Sequence, residues 1–220
     1  CLGDLFDSYS NHEAVIARAL PIAKDLDLFI AGNHDLVNDN EKTSTLELLR
    51  DESLVGPSTF SYVKFGEVGY DYRWSGNIGL YSVPHVSDQE QFLASLNLVQ
   101  KAISDGKSPE GEVPYLLLHC NYDNPFCDET SLNLSRERAK TLLKYFHTIV
   151  IGHEHVHSVD LKGRLVVLGN LFPTSFGDIS DKYHMRVNDD GTYDLVKEWS
   201  KDYRYLEVDW TEVKPQSEAD

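Results

Sequence analysis

The sequence predicts a single α/β domain, and three observations carry that expectation. Short apolar runs of strand length alternate with segments of helical period through most of the 220 residues. Turn chemistry separates them, most clearly Asn188-Asp189-Asp190-Gly191 between two β-patterned runs. A content of 41% hydrophobic and 11% aromatic residues suffices for a buried core, yet no apolar run approaches the roughly 18 residues of a membrane helix. A chain of this length fits one large domain, read as residues 1–210 with an acidic, solvated tail over 211–220.

The elements follow in order. Residues 11–25 (NHEAVIARALPIAKD) read as a helix that Pro21 kinks or ends, because proline lacks the N–H and clashes with the preceding turn. Residues 27–31 (DLFIA) are a short buried strand running into Gly32-Asn33-His34-Asp35. A short helix over 43–50 and strands over 60–65 and 78–83 come next. Within 88–105, Phe92, Leu96, Val99 and Ile103 share one helical face. After a Pro/Gly loop over 107–113, the run 115–118 is a buried strand ending at His119. Ser135 caps a helix reaching about residue 146, with Ala139, Leu142, Leu143 and Phe146 inward. The strand 148–151 leads into Gly152-His153-Glu154-His155, and the remainder is β over 157–161, 164–168, 184–188 and 192–197.

Charge and cysteine usage exclude several function classes. A formal charge of −16 disfavours broad electrostatic binding of nucleic acid, although divalent cations would supply positive charge locally. Cys1, Cys120 and Cys127 are an odd, sparse set without a CxxC pair. That argues against a disulfide framework or a cysteine-built zinc site, and for a reducing, cytoplasmic compartment. The only methionine is Met185, so residue 1 is not an initiator and a longer natural chain is expected.

The chemistry gathers behind apolar segments. Leu2-Gly3-Asp4, Gly32-Asn33-His34-Asp35, His119 and Gly152-His153-Glu154-His155 each lie at or just after one. In an open α/β sheet such ends line one edge, where ligands bind. A carboxylate, an amide oxygen and imidazoles converging there suit manganese, iron or zinc. The glycines before Asp4, Asn33 and His153 are expected to permit tight turns that aim the next side chain into the cleft.

GDLFD, GNHD, LLLH and GHEH, in that order, resemble the later signature motifs of the calcineurin-like metallophosphoesterases, over residues 2–178. The resemblance implies two packed mixed β-sheets flanked by helices, with a two-metal site at the strand ends. It implies that Asp4 bridges the metals, that Asn33, His119 and His153 complete the second, and that His155 ligates the first. His34 resembles the catalytic histidine, oriented by the acidic residue after it, here Asp35. Two divalent ions are implied, Mn2+ first, with Fe2+, Zn2+ or Mg2+ as alternatives. A bridging carboxylate holds such ions about 3.5–4 Å apart, where they activate water and clamp phosphoryl oxygens.

The family's opening Asp-x-His motif does not precede Asp4 in this sequence. The first metal therefore has only Asp4 and His155, and the expectation is a longer natural protein rather than an impaired site. GDLFD, GNHD and GHEH, with the later run Gly169-Asn170-Leu171-Phe172-Pro173-Thr174-Ser175, resemble the SbcD-type DNA repair nucleases more than the protein phosphatases. That branch implies a phosphodiester substrate such as DNA, and an ATPase partner. The alternatives are a phosphomonoesterase or small-nucleotide phosphodiesterase, or a non-catalytic scaffold. Among further residues, His157 extends the HxHxH run as a candidate phosphate contact. His85, after Val83-Pro84, is a candidate wall of the cleft.

Overall fold

Four parallel strands form the frame of this chain, two of which carry His119 and His153 near their C-terminal ends. The computed structural model describes residues 1–6, 13–24, 26, 28–35, 67–86, 88–127, 131–175 and 178–198. Their elements are α1 (Glu13–Lys24), β1 (Asp71–Ser75), β2 (Ile78–Val83), α2 (Gln89–Ser104), β3 (Val113–Tyr122), β4 (Asn133–Leu134) and α3 (Arg136–Leu142). There follow β5 (Thr148–His153), β6 (Ser158–Asp160), a 3-10 turn (Leu161–Gly163), β7 (Leu165–Val167), β8 (Tyr183–Val187) and β9 (Tyr193–Lys197). The large sheet has seven strands in the order β1-β2-β3-β5-β7-β6, with β4 beside β3. Strands β2, β3, β5 and β7 are parallel, and β1 and β6 close the edges antiparallel.

The parallel strands are continuous apolar runs because both faces are covered. On one face Leu116, Leu118, Ile149, Ile151, Leu165 and Val167 pack against Phe92, Leu96 and Val99 of α2 and Ala139 and Leu142 of α3. On the other, Tyr115, Leu117 and Val150 meet Met185 and Val187 of the β8–β9 hairpin, with Leu2 and Leu28 alongside. The Tyr115 hydroxyl fixes that hairpin by donating to the Gly191 carbonyl at 2.9 Å. The expected two-sheet, helix-flanked α/β architecture is therefore present. Among the described residues the second sheet is the two-stranded β8–β9 pair.

Some elements differ from expectation. Helix α1 runs through Pro21 to Lys24, since so near the C-terminus the missing N–H removes one backbone bond only. The expected strand over 27–31 reduces to a single bridge at Phe29, with Ile30 and Ala31 buried beside it. Helix α3 stops at Leu142 because Arg164 takes the carbonyls beyond it, donating to Leu143 and Phe146 at 2.7 Å and His147 at 2.9 Å. Strand β1 was not expected, its DYRWS sequence reading as polar. The Gly76-Asn77 turn that joins it to β2 was the available signal. The segments 43–50, 60–65 and 211–220 lie outside the described residues, as does His12. No helix among the described residues is long and apolar enough to cross a membrane.

Candidate metal centre

Parallel register brings the motifs together. Pairing of β3 with β5 sets His119 opposite Gly152 and Cys120 opposite His153; His153 leaves the regular strand conformation at φ 82°, and the His119 and His153 rings meet at centroids 5.0 Å apart. The Gly-Asp and Gly-Asn-His-Asp loops arrive from the Leu2 and Phe29 side and are locked to each other by Asp35. Its fully buried carboxylate accepts the N–H groups of Asp4 at 2.9 Å, Gly32 at 2.7 Å and Phe6 at 3.2 Å. Burial pushes that carboxyl up to about 6, against the lowering effect of the amides it accepts.

The three glycines serve close approach more than turning. A Cβ on Gly3 would fall 2.2 Å from His119 Nδ1, one on Gly32 2.1 Å from Asp4 Oδ1, and one on Gly152 2.4 Å from the Leu2 carbonyl. Only Gly3, at φ +99°, also needs the left-handed region. Asp4 and His153 themselves carry positive φ, 53° and 82°. Such backbone costs about 1–3 kcal/mol per residue and persists where the surroundings over-determine it.

The donor atoms converge tightly. Asp4, His119 and His153 each offer one ligand atom, all within 4.8 Å of one another. His119 Nε2 lies 3.0 Å from Asn33 Oδ1, 3.3 Å from Asp4 Oδ2 and 3.2 Å from His153 Nδ1. Asn33 Oδ1 is also 3.0 Å from His153 Nδ1. The opposite nitrogen of His119, Nδ1, sits 2.7 Å from the Leu2 carbonyl and donates its proton there. Nε2 faces the Asp4 and Asn33 oxygens, where a bound cation in place of its proton would reconcile such donors.

Electrostatics favours the same state. Burial, then His119, pushes His153 down to about 4, so this imidazole is neutral at physiological pH. Burial raises Asp4, but the hydrogen bonds from His119 and the His34 amide outweigh it and hold the carboxyl below its ordinary value. A carboxylate, two imidazoles and an amide oxygen suit a hard-to-borderline divalent ion.

The remaining expected residues fall around this cluster. The His34 amide donates to Asp4 Oδ1 at 3.0 Å. His85 stands edge-on to His119 at 6.2 Å, and burial, then His119, pushes it down to about 3. It is a neutral ring on the flank of His119. His155 is exposed and lies outside the tight triad, with Nδ1 3.3 Å from the Thr174 hydroxyl. His157 is half-buried on the Tyr183 ring at 4.4 Å, its Nδ1 without a hydrogen-bond partner.

Two contributors carried no signal that the sequence reading used. Glu154, inside GHEH, accepts the Tyr122 N–H at 2.6 Å, tying the end of β3 to the loop after β5. Lys182 is buried beneath the His155 loop. A lysine 27 residues downstream has no pattern that announces such a contact.

Comparison with known proteins supplies the family. The sequence model of the calcineurin-like phosphoesterases matches residues 1–157, and the chain belongs to that family. No curated protein matches the chain. Among solved structures, it is similar to a Staphylococcus aureus protein described as a candidate 5′-nucleotidase, crystallised with α-ketoglutarate. The TM-score is 0.48 at 11% identity, over 90% of this chain and 42% of that one, so the chain spans less than half of its relative. The chemistry of the family is hydrolysis of phosphate esters with divalent metal ions, and the triad of Asp4, His119 and His153 has the composition of a metal site.

Proposed function

We propose that this protein is a two-metal phosphodiesterase acting on DNA, with Mn2+ as the preferred ion. The observation that carries the metal-dependent core of the reading is the His119 ring, whose Nδ1 is engaged by Leu2 and whose Nε2 faces Asn33 and Asp4. Asp4, Asn33, His119 and His153 would hold one ion, and Asp4 and His155 would contribute to the other. Ions bound there would supply an activated water and positive charge for the phosphoryl oxygens.

The chain's own residues position the reaction. Asp35 fixes the two loops that carry Asp4 and His34. His34 is the group assigned to hold a proton near the leaving oxygen, with Asp35 as its support. His85 excludes water from the flank of His119. His157 is the further residue proposed to contact phosphate. Preference for a diester rests on the resemblance of the run Gly169–Ser175 to the SbcD-type nucleases; that run meets the His155 loop through Asn170 N–H to His155 O at 3.3 Å. The charge of −16 disfavours an extended DNA-binding face, so contact with DNA would be confined to the surroundings of the bound ions. An ATPase partner and a cytoplasmic setting belong to the same reading.

The test is Mn2+-dependent hydrolysis of bis-p-nitrophenyl phosphate against p-nitrophenyl phosphate, followed by cleavage of linear DNA. The expected result is a faster diester reaction, lost in His34→Ala while Mn2+ stays bound. A faster monoester reaction would replace the diesterase reading with a phosphomonoesterase. Mn2+ binding without hydrolysis of either ester would point to a scaffold.

A further inference from the structure

We propose that Thr174 and Lys182 are positioning residues that hold His155 with its Nε2 turned toward the cation site. The inference rests on the reading of His155 as a metal ligand. His155 is exposed, so its own packing does not fix the ring. It is held instead at two points, the backbone carbonyl and Nδ1, and both holds run back to one half-buried carboxylate, Asp178.

The backbone hold is the Lys182 ammonium. Lys182 is 1% exposed, and its Nζ donates to Asp178 Oδ1 and Asn170 Oδ1 at 2.5 Å, Ser180 Oγ at 2.9 Å and the His155 carbonyl at 3.4 Å. The Asn170 N–H reaches the same carbonyl at 3.3 Å. Gly169, at φ +78°, makes this approach feasible, because a Cβ there would lie 3.0 Å from both the His155 carbonyl and the His157 nitrogen. Burying an ammonium is costly, and apolar packing would give a loop of this size equal stability. A charge retained here fixes a conformation.

The ring hold is the Thr174 hydroxyl, 3.3 Å from His155 Nδ1. Thr174 is placed by Asp178, whose Oδ2 accepts its N–H at 3.4 Å and the Asn170 amide at 2.9 Å. The Asn170 amide also reaches the Thr174 oxygen at 3.5 Å, taking one of its two lone pairs and leaving the second free for His155 Nδ1–H. In the proposed arrangement that second lone pair accepts from Nδ1–H, which selects the tautomer whose lone pair is on Nε2. Partners of this kind around a ligating histidine change metal affinity by roughly 10–100-fold.

The experiment titrates Mn2+ into the wild-type chain and into His155→Ala, Thr174→Val, Thr174→Ser and Lys182→Met. It adds the nitrogen-15 signature of the His155 ring and a thermal melt of each variant. The expected result is a Kd raised about tenfold in Thr174→Val with an unchanged melt, and a ring that no longer holds the Nδ1–H tautomer. Thr174→Ser restores both, and Lys182→Met weakens binding similarly. If His155→Ala weakens Mn2+ binding while Thr174→Val leaves affinity and tautomer unchanged, the positioning inference is overturned and the ligand reading stands. If His155→Ala binds Mn2+ like wild type, the ligand reading itself fails. Should Lys182→Met not fold, the Thr174 pair still decides.

Discussion

The Asp35 carboxylate receives the Asp4 backbone N–H at 2.9 Å, joining two loops that are 31 residues apart in sequence. With Gly32 and Phe6 also donating to it, this buried side chain sets the spacing between the Asp4 carboxylate and the Asn33 amide. The acid of the Gly-Asn-His-Asp motif thus has an architectural duty in addition to the proposed support of His34.

Removing that carboxylate leaves three amide donors without their acceptor in a buried place. Asp35→Ala is expected to destabilise the fold by about 3–5 kcal/mol, given about 1–3 kcal/mol per orphaned donor and partial relaxation. Urea unfolding measures this. A variant within about 1 kcal/mol of wild type would show that the loops hold each other by other means.

Two glycines separate site geometry from turn geometry. Gly3→Ala drives a Cβ to 2.2 Å from His119 Nδ1 and displaces that ring from Leu2, so Mn2+ affinity should fall at least tenfold. Gly76→Ala, at φ +61° with open space around it, should cost about 1–2 kcal/mol of backbone strain and leave Mn2+ binding intact. Calorimetric titration and thermal melts of the two variants distinguish these effects. Equal Mn2+ binding by both would contradict the close-approach reading.

Acid sensitivity should trace in part to Asp178. Burial raises its carboxyl, yet hydrogen bonds from Lys182, Asn170, Ser180 and the Thr174 amide outweigh this and hold it well below the carboxylate range. The folded value is depressed, so the stabilisation is complete above the unfolded value of about 3.9 and is lost as pH falls toward the folded one. Stability measured from pH 7 down to 2 should therefore fall more steeply in wild type than in Asp178→Asn. That variant also strands the Lys182 charge, and should begin about 3–5 kcal/mol lower at pH 7. Parallel curves would remove Asp178 from the acid response.

Glu154 offers a test of the tie between β3 and β5. Glu154→Ala orphans the Tyr122 N–H, at a cost of about 1–3 kcal/mol, and loosens the loop that carries His153 and His155. Glu154→Gln keeps an acceptor and should stay close to wild type. Amide hydrogen exchange at Tyr122 reads the difference directly, with faster exchange expected only in the alanine variant. Unchanged exchange in that variant would mean another group holds the strand end.

Much of this arrangement was legible in the chain. The apolar runs 78–83, 115–118 and 148–151 gave the central strands because burial on both faces demands continuous hydrophobicity, and their shortness favours strand over helix. Helix α2 announced itself through Phe92, Leu96 and Val99, which form the core contact that stabilises it. Strand β1 stayed hidden because it is an edge, where one partner strand and partial exposure tolerate Asp71 and Arg73. The extent of α3 was set by Arg164, whose contact with the carbonyls after Leu142 is invisible locally.

By itself, the sequence determined the residue types at the strand ends, and with them the chemistry. Carboxylate, amide and imidazole after glycine in a fixed order constrain both ligand hardness and charge, which are properties of side chains. Only the tertiary structure decided which donors meet. Asp4, Asn33, His119 and His153 converge because parallel register and the Asp35 clamp put them there, whereas His155 stands apart on a loop secured by Thr174 and Lys182. Distances between residues tens of positions apart depend on packing and hydrogen bonds that close long loops, and no local pattern encodes those.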